Sequence, residues 1–195
     1  MLKAGLTGNI GSGKSLVASV FSVLGIPVFK ADEESKNILK LPEVIDMVAD
    51  TFGPEVLEHG IISNKALAAI VFGNKEALLK LNHLMHPLVM DAFKSWIRLY
   101  PLSPYVIMEA AILFESGYAG EFDRIIHVSC DEAIALERVM KRDGVTEEQV
   151  RARMMQQLKN DDKAGLSDFV IINDGSLHII PQVLAVHKAL LQSCT

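Results

Sequence analysis

The chain has 195 residues, of which 50% are hydrophobic and 22% charged, enough apolar surface to offset the entropy of ordering one domain; global disorder is excluded. Nineteen basic against 24 acidic side chains leave a formal charge of −5, which argues against a protein that holds nucleic acid by neutralising many phosphates. Cys130 and Cys194 are far apart, and neither belongs to a set of Cys and His residues numerous enough to ligate zinc, so a reducing cytoplasm is expected rather than a metal knuckle or disulfide framework.

Met1 to Gly8 has neither a charged leader nor an apolar core ending in a cleavage site, so secretion is not expected. The early uncharged stretch from Ser15 to Phe29 is broken by Gly25 and Pro27 and falls short of the roughly 20 residues that span a bilayer. The expectation is a soluble cytoplasmic protein with no membrane or nucleic-acid partner.

In chain order, Leu2, Ala4 and Leu6 predict a short strand, and Leu16 to Phe21 a helix that Gly25 stops. Ile26 to Phe29 predicts a second buried strand. Three more are predicted at Tyr105–Met108, Arg124–Val128 and Phe169–Ile172. Helical stretches separate most of them, which predicts an α/β fold with a five-stranded parallel sheet flanked by helices.

From Glu33 to Pro104 no strong strand signal appears, whereas Val44, Met47, Val48 and Phe52 share one helical face, as do Leu78, Leu81, Leu84 and Met85. A helical insertion over 33–104 is expected. Further on, Asp131 is placed to cap one helix, and Thr146 with Gln149 forms a capping-box signature for the next. Arg138, Arg142, Arg151 and Arg153 cluster in 138–163, the segment expected to act as a lid. The nucleotide-binding core is then 1–32, 105–137 and 164–195.

Gly8-Asn9-Ile10-Gly11-Ser12-Gly13-Lys14-Ser15 fits G-x-x-x-x-G-K-[ST], directly after a strand and opening a helix. Its glycines let backbone N–H groups turn around phosphate oxygens. Lys14 can reach the β- and γ-phosphates, and Ser15 can bind Mg²⁺. The loop from Gly8 through Leu16 is therefore the candidate ATP site, with Mg²⁺ accompanying ATP. Neither Asn64-Lys65-Ala66-Leu67 nor Asn74-Lys75-Glu76-Ala77 supplies the aspartate of a guanine reader, which disfavours a GTPase. Small size and clustered arginines match small-molecule kinases whose lid excludes water.

Several separated motifs together resemble the dephospho-coenzyme A kinase family over nearly the full length. The opening Leu6-Thr7-Gly8 to Ser15 is similar to that of the family, and Lys30-Ala31-Asp32 occupies its Asp-Ala-Asp site. Leu84-Met85-His86-Pro87-Leu88 resembles its His-Pro element, and Ile112-Leu113-Phe114-Glu115 the tail of a Pro-Leu-Leu-Phe-Glu motif. Arg138, Arg142, Arg153 to Gln157 and Ile172-Asn173-Asp174-Gly175 follow in the family's order. Three positions depart from the pattern: Lys30 replaces the first aspartate, Ala110-Ala111 stands where valine or isoleucine and then proline are usual, and Asn64 stands where arginine is common.

The resemblance implies a P-loop kinase that transfers the γ-phosphoryl of ATP to the ribose 3′-hydroxyl of dephospho-coenzyme A. It implies Asp32, Lys14 and Arg142 as catalytic, Arg138 and Arg142 as ATP contacts, and Asp32, His86, Glu109 and Arg153 as substrate contacts. By their own chemistry these residues leave alternatives open. Asp32 can be a base or a helix N-cap, and Glu109 a magnesium-shell ligand or an ordinary strand-end carboxylate. Arg138 and Arg142 can clamp phosphate or line a solvated face, and His86 can be a core histidine. Arg151 and Lys159 offer the same charge as Arg153. The three arginines 138, 142 and 153 are expected to repel one another until phosphate arrives. Met85, Met90, Met154, Met155 and Cys130 are read as packing. Another small-molecule kinase, or a nucleotide-dependent switch, remains the alternative function.

Overall fold

A computed structural model describes residues 1–71 and 74–194, arranged in two compact units: Met1–Lys30 with the chain from Ile97 onward, and Ala31–Trp96. The first unit is built on strands β1 (Leu2–Thr7), β2 (Val28–Lys30), β5 (Tyr105–Glu109), β6 (Arg124–Ser129) and β7 (Phe169–Ile172). They form one sheet in the order β2-β5-β1-β6-β7, and every pairing is parallel. The sequence-predicted sheet is thus present with all five strands.

Strand β5 is buried along its whole length, as expected of a central parallel strand covered on both faces. One face carries helices α1 (Lys14–Val23) and α9 (Ile179–Gln192). Val17 and Phe21 from α1 and Val183 and Leu190 from α9 pack there with Leu6, Ile107, Ile126 and Ile171 of the sheet. Because β5 and β6 lie on opposite sides of β1, the chain turns both ways from the central strand. Its C-terminal end is therefore a crevice where ligands gather in open α/β sheets.

The same unit contains α6 (Glu132–Asp143), α7 (Glu147–Met154) and α8 (Asn160–Gly165). Both predicted caps form: Asp131 Oδ1 accepts from the amides of Ala133 and Ile134, and Thr146 with Gln149 makes the reciprocal capping box. Leu136, Val139 and Val150 make a separate small core, with Ile10 and Met154 packed on it. Met155 is a correction: it is 77% exposed and packs nothing away from water.

The second unit contains α2 (Ala31–Ile38), α3 (Pro42–Phe52), β3 (Leu57–Glu58), β4 (Ile61–Ile62), α4 (Asn64–Val71) and most of α5 (Lys75–Ile97). It is helical as expected, except that β3 and β4 form a two-residue antiparallel pair around His59 and Gly60. Such a pair is too short for alternation to announce it. Val44, Val48, Val56, Leu67 and Val71 are buried in it, and Phe93 stacks on Trp96 at 6.1 Å between ring centroids. Asp32, read as core on sequence, falls just inside this unit, and residues 97–104 fall in the first.

Candidate active site

The phosphate loop connects β1 to α1, and its shape depends on two glycines with left-handed backbone. Gly11 has φ 81° and Gly13 φ 89°. A Cβ on Gly11 would overlap the carbonyl of Ala135, and one on Gly13 would overlap the side-chain amide of Asn173, so both positions require glycine for conformation and for space. Asn173 is buried and donates from Nδ2 to the carbonyl of Ser12 at 2.7 Å.

At the head of α1, Lys14 Nζ donates to the carbonyl of Gly8 at 2.9 Å, folding the ammonium back over the loop. Ser15 Oγ donates to Glu109 Oε1 at 2.7 Å. Glu109 is 8% exposed, ends β5 and pairs in register with Lys30 of β2. Ser15 of the glycine loop and Glu109, 94 residues away in sequence, therefore meet at the C-terminal end of the sheet, next to Lys14 in the chain. Leu16 lies beside them on the solvent side of α1, 54% exposed.

Among the described residues no group of three or more His, Cys, Asp or Glu side chains is placed to hold a metal ion. A hydroxyl beside one carboxylate does fit Mg²⁺, which is commonly held by one or two protein oxygens while water and nucleotide phosphates complete its shell.

Of the arginines, Arg138 donates from Nη1 to the carbonyl of Asn173 at 2.9 Å and to Cys130 Sγ at 3.3 Å. It thereby lies beside the residue that supports the phosphate loop. Buried Cys130 has its thiol pKa pushed up by burial, which suits packing rather than reactivity. Arg142 pairs with the adjacent Asp143 through Nε at 2.7 Å and Nη2 at 3.1 Å, and Arg153 Nη1 reaches the same carboxylate at 3.3 Å. The expected mutual repulsion is corrected here: Asp143 already compensates Arg142 and Arg153, and the Arg142 hydrogen bond holds its carboxyl below the usual range. Arg151 is engaged differently, with Glu147 at 2.7 Å and Glu132 at 3.0 Å. Of these two, Arg153 and not Arg151 shares Asp143 with Arg142, a distinction that sequence spacing left open.

Asp32 and His86 belong to the second unit. Asp32 is exposed in the first turn of α2, two residues past the end of β2. It lies inside the helix rather than ahead of it, which disfavours the N-cap reading. His86 lies half-buried in α5 before Pro87, and burial, then neighbouring His83, lower its pKa. Asn64 and Lys65 are exposed in the first turn of α4.

Sequence reasoning assigned no role to a buried polar network behind the loop. Lys163 is fully buried, with Nζ 2.8 Å from Glu115 Oε1 and 2.9 Å from the carbonyl of Ala111. Burial lowers its pKa, and Glu115 opposes the shift. His127, equally buried, bonds through Nε2 to Asn160 Oδ1 at 2.9 Å, while Asn160 Nδ2 donates to Ser129 Oγ. With the Asn160 oxygen toward the ring, Nε2 carries the proton, and among the described residues buried Nδ1 has no hydrogen-bond partner. Glu115 lay in a quoted motif, but nothing local marks its partner Lys163. A cavity of about 720 Å³ adjoins this region, lined by Asn9, Ser12, Arg151, Leu158 and Asn160 among others. It flanks the phosphate loop rather than holding Lys14, Ser15 and Glu109.

The model of the dephospho-CoA kinase family matches residues 2–178. The chain belongs to that family. A dephospho-CoA kinase of Bacteroides fragilis is 37% identical over 192 residues, covering 98% of this chain and 94% of the relative. Among solved structures, TT1252 from Thermus thermophilus superposes with a TM-score of 0.86 at 30% identity, covering 96% of each chain. The dephospho-CoA kinase from Campylobacter jejuni shares the fold, with a TM-score of 0.70 at 24% identity and 99% and 98% coverage. The fold is that of a P-loop kinase, as the ordered motifs implied.

Proposed function

We propose the following division of labour for the ATP-dependent phosphorylation of dephospho-coenzyme A, the reaction of the family to which the chain belongs. The loop amides and Lys14 hold the phosphates of ATP. Ser15 and Glu109 would hold Mg²⁺, which would supply neutralising charge for the nucleotide phosphates. Asp32 orients the ribose 3′-hydroxyl and accepts its proton, with His86 and the helical unit contributing to substrate binding. Arg138 and Arg142 receive the charge of the transferring group and of ADP, and Arg153 contacts substrate from the lid. Positioning and electrostatics carry the rate, because a loose phosphoryl transition state asks little covalent help of the protein.

The observation that supports this reading best is the 2.7 Å Ser15–Glu109 hydrogen bond next to Lys14, an oxygen pair of the kind that can bind a divalent cation. Among the described residues no helix is long and apolar enough to cross a membrane. ADP release is expected to require dephospho-coenzyme A, and Lys14→Ala to lower turnover by about 10²–10⁴. ADP release at the same rate without the acceptor, or with nucleosides or sugar acids in its place, overturns the assignment.

A further inference from the structure

The phosphate loop is held unequally along its length. Its second half, Gly13 to Ser15, carries the two side chains assigned to the nucleotide and its metal, Lys14 and Ser15. Its first half is fastened to the connector between α7 and α8. The amide of Ile10 donates to Gln157 Oε1 at 2.9 Å, and Asn9 Nδ2 donates to the carbonyl of Leu158 at 3.1 Å. The Ile10 side chain is packed on the Leu136, Val139 and Val150 cluster, so Ile10 is anchored through both its backbone and its side chain.

The connector is itself tied to the segment after β5. Gln157 Nε2 donates to the carbonyl of Ala111 at 3.4 Å, an acceptor already engaged by Lys163, and the amide of Leu158 donates to Glu115 Oε1 at 2.8 Å. Gln157 therefore uses both ends of one neutral amide, its oxygen on the phosphate loop and its nitrogen on the β5 loop. The Ile10 amide is part-buried, so removing the Gln157 oxygen costs about one hydrogen bond and leaves the Ile10 N–H to water or to a changed loop conformation.

We propose that Gln157 is a positioning residue for ATP, holding the phosphate loop in its binding shape through the Ile10 amide. The effect reaches nucleotide through the loop and leaves the acceptor side untouched. The proposal rests on the loop being the ATP site, a reading that wild-type turnover tests separately, whereas the test of Gln157 compares variants and also reads an amide directly.

Gln157→Met keeps length and removes both hydrogen bonds, whereas Gln157→Glu keeps an oxygen for Ile10. The Met variant is expected to raise the KM for ATP about three- to tenfold, the order of one lost hydrogen bond, with the KM for dephospho-coenzyme A within about twofold. The Glu variant should recover most of the ATP KM. In nucleotide-free wild type, hydrogen exchange at the Ile10 amide should be slow, and it should accelerate in the Met variant. A folded Met variant with unchanged ATP KM overturns the proposal, as does a Glu variant no better than Met, or activity that merely tracks the folded fraction. If the Met variant does not fold, exchange in wild type decides: an unprotected Ile10 amide overturns the proposal and a protected one supports it.

Discussion

Ser15 donates its hydroxyl to Glu109 across 2.7 Å, joining the head of α1 to the end of β5. Glu109→Gln retains an acceptor for that hydroxyl while removing the negative charge that attracts a divalent cation. The fold should hold, and the Mg²⁺ concentration for half-maximal turnover should rise by about tenfold, one unit in log affinity. A Mg²⁺ titration of the purified variant checks this. An unshifted curve returns Glu109 to the status of an ordinary strand-end carboxylate.

Asp32 is exposed in the first turn of α2, where asparagine changes neither size nor helix start. Asp32→Asn is expected to leave ATP binding and the thermal midpoint near wild type. Turnover with dephospho-coenzyme A should fall by about 10²–10⁴, the usual contribution of a positioned base. Binding of an ATP analogue measured beside turnover separates the two effects, and near-normal turnover in the folded variant removes Asp32 from the chemistry.

Arg142 and Arg153 share the carboxylate of Asp143, and the Arg142 side chain is 63% exposed. Exposed pairs of this kind contribute only about 0.2–1 kcal/mol, so Asp143→Asn should barely move the thermal midpoint. If the arginines leave Asp143 to meet phosphate, removing their resting partner makes that exchange easier. ATP should then bind about two- to fivefold more tightly, within the range such pairs contribute. Calorimetric titration at fixed ionic strength checks the direction; unchanged or weaker binding shows that the arginines do not exchange partners.

His127 is buried with a bare Nδ1, and burial lowers its pKa below the usual 6.5, with Lys163 and Lys14 adding to the shift. The unfolded chain takes up this proton at higher pH than the folded one, so stability rises with pH wherever the two differ. His127 thus contributes fully above about pH 6.5 and progressively less as pH falls toward the folded value. His127→Gln keeps a donor for Asn160 and has no proton to take up. Urea midpoints measured from about pH 7 to about pH 5 should therefore fall less steeply in the variant than in wild type. Parallel profiles would remove His127 as a source of acid sensitivity.

Much of this protein is local and therefore legible in its sequence. Buried parallel strands read as apolar runs, Asp131 and the Thr146–Gln149 pair cap their own helices within a turn, and the glycine pattern of the phosphate loop specifies a backbone that other residues cannot adopt. Lys14 and Ser15 come from one motif, and their chemistry follows from it. Tertiary structure alone decided what meets them. Strand order brings Glu109 against Ser15 from 94 residues away. The fold of the C-terminal third gives Arg153 rather than Arg151 the partner of Arg142, and carries Gln157 to Ile10 and Lys163 to Glu115. These choices depend on which side chains share a carboxylate, carbonyl or amide after packing. Spacing along the chain carries no trace of them, because the cost of an unpaired buried polar group is felt only once the surrounding elements have excluded water.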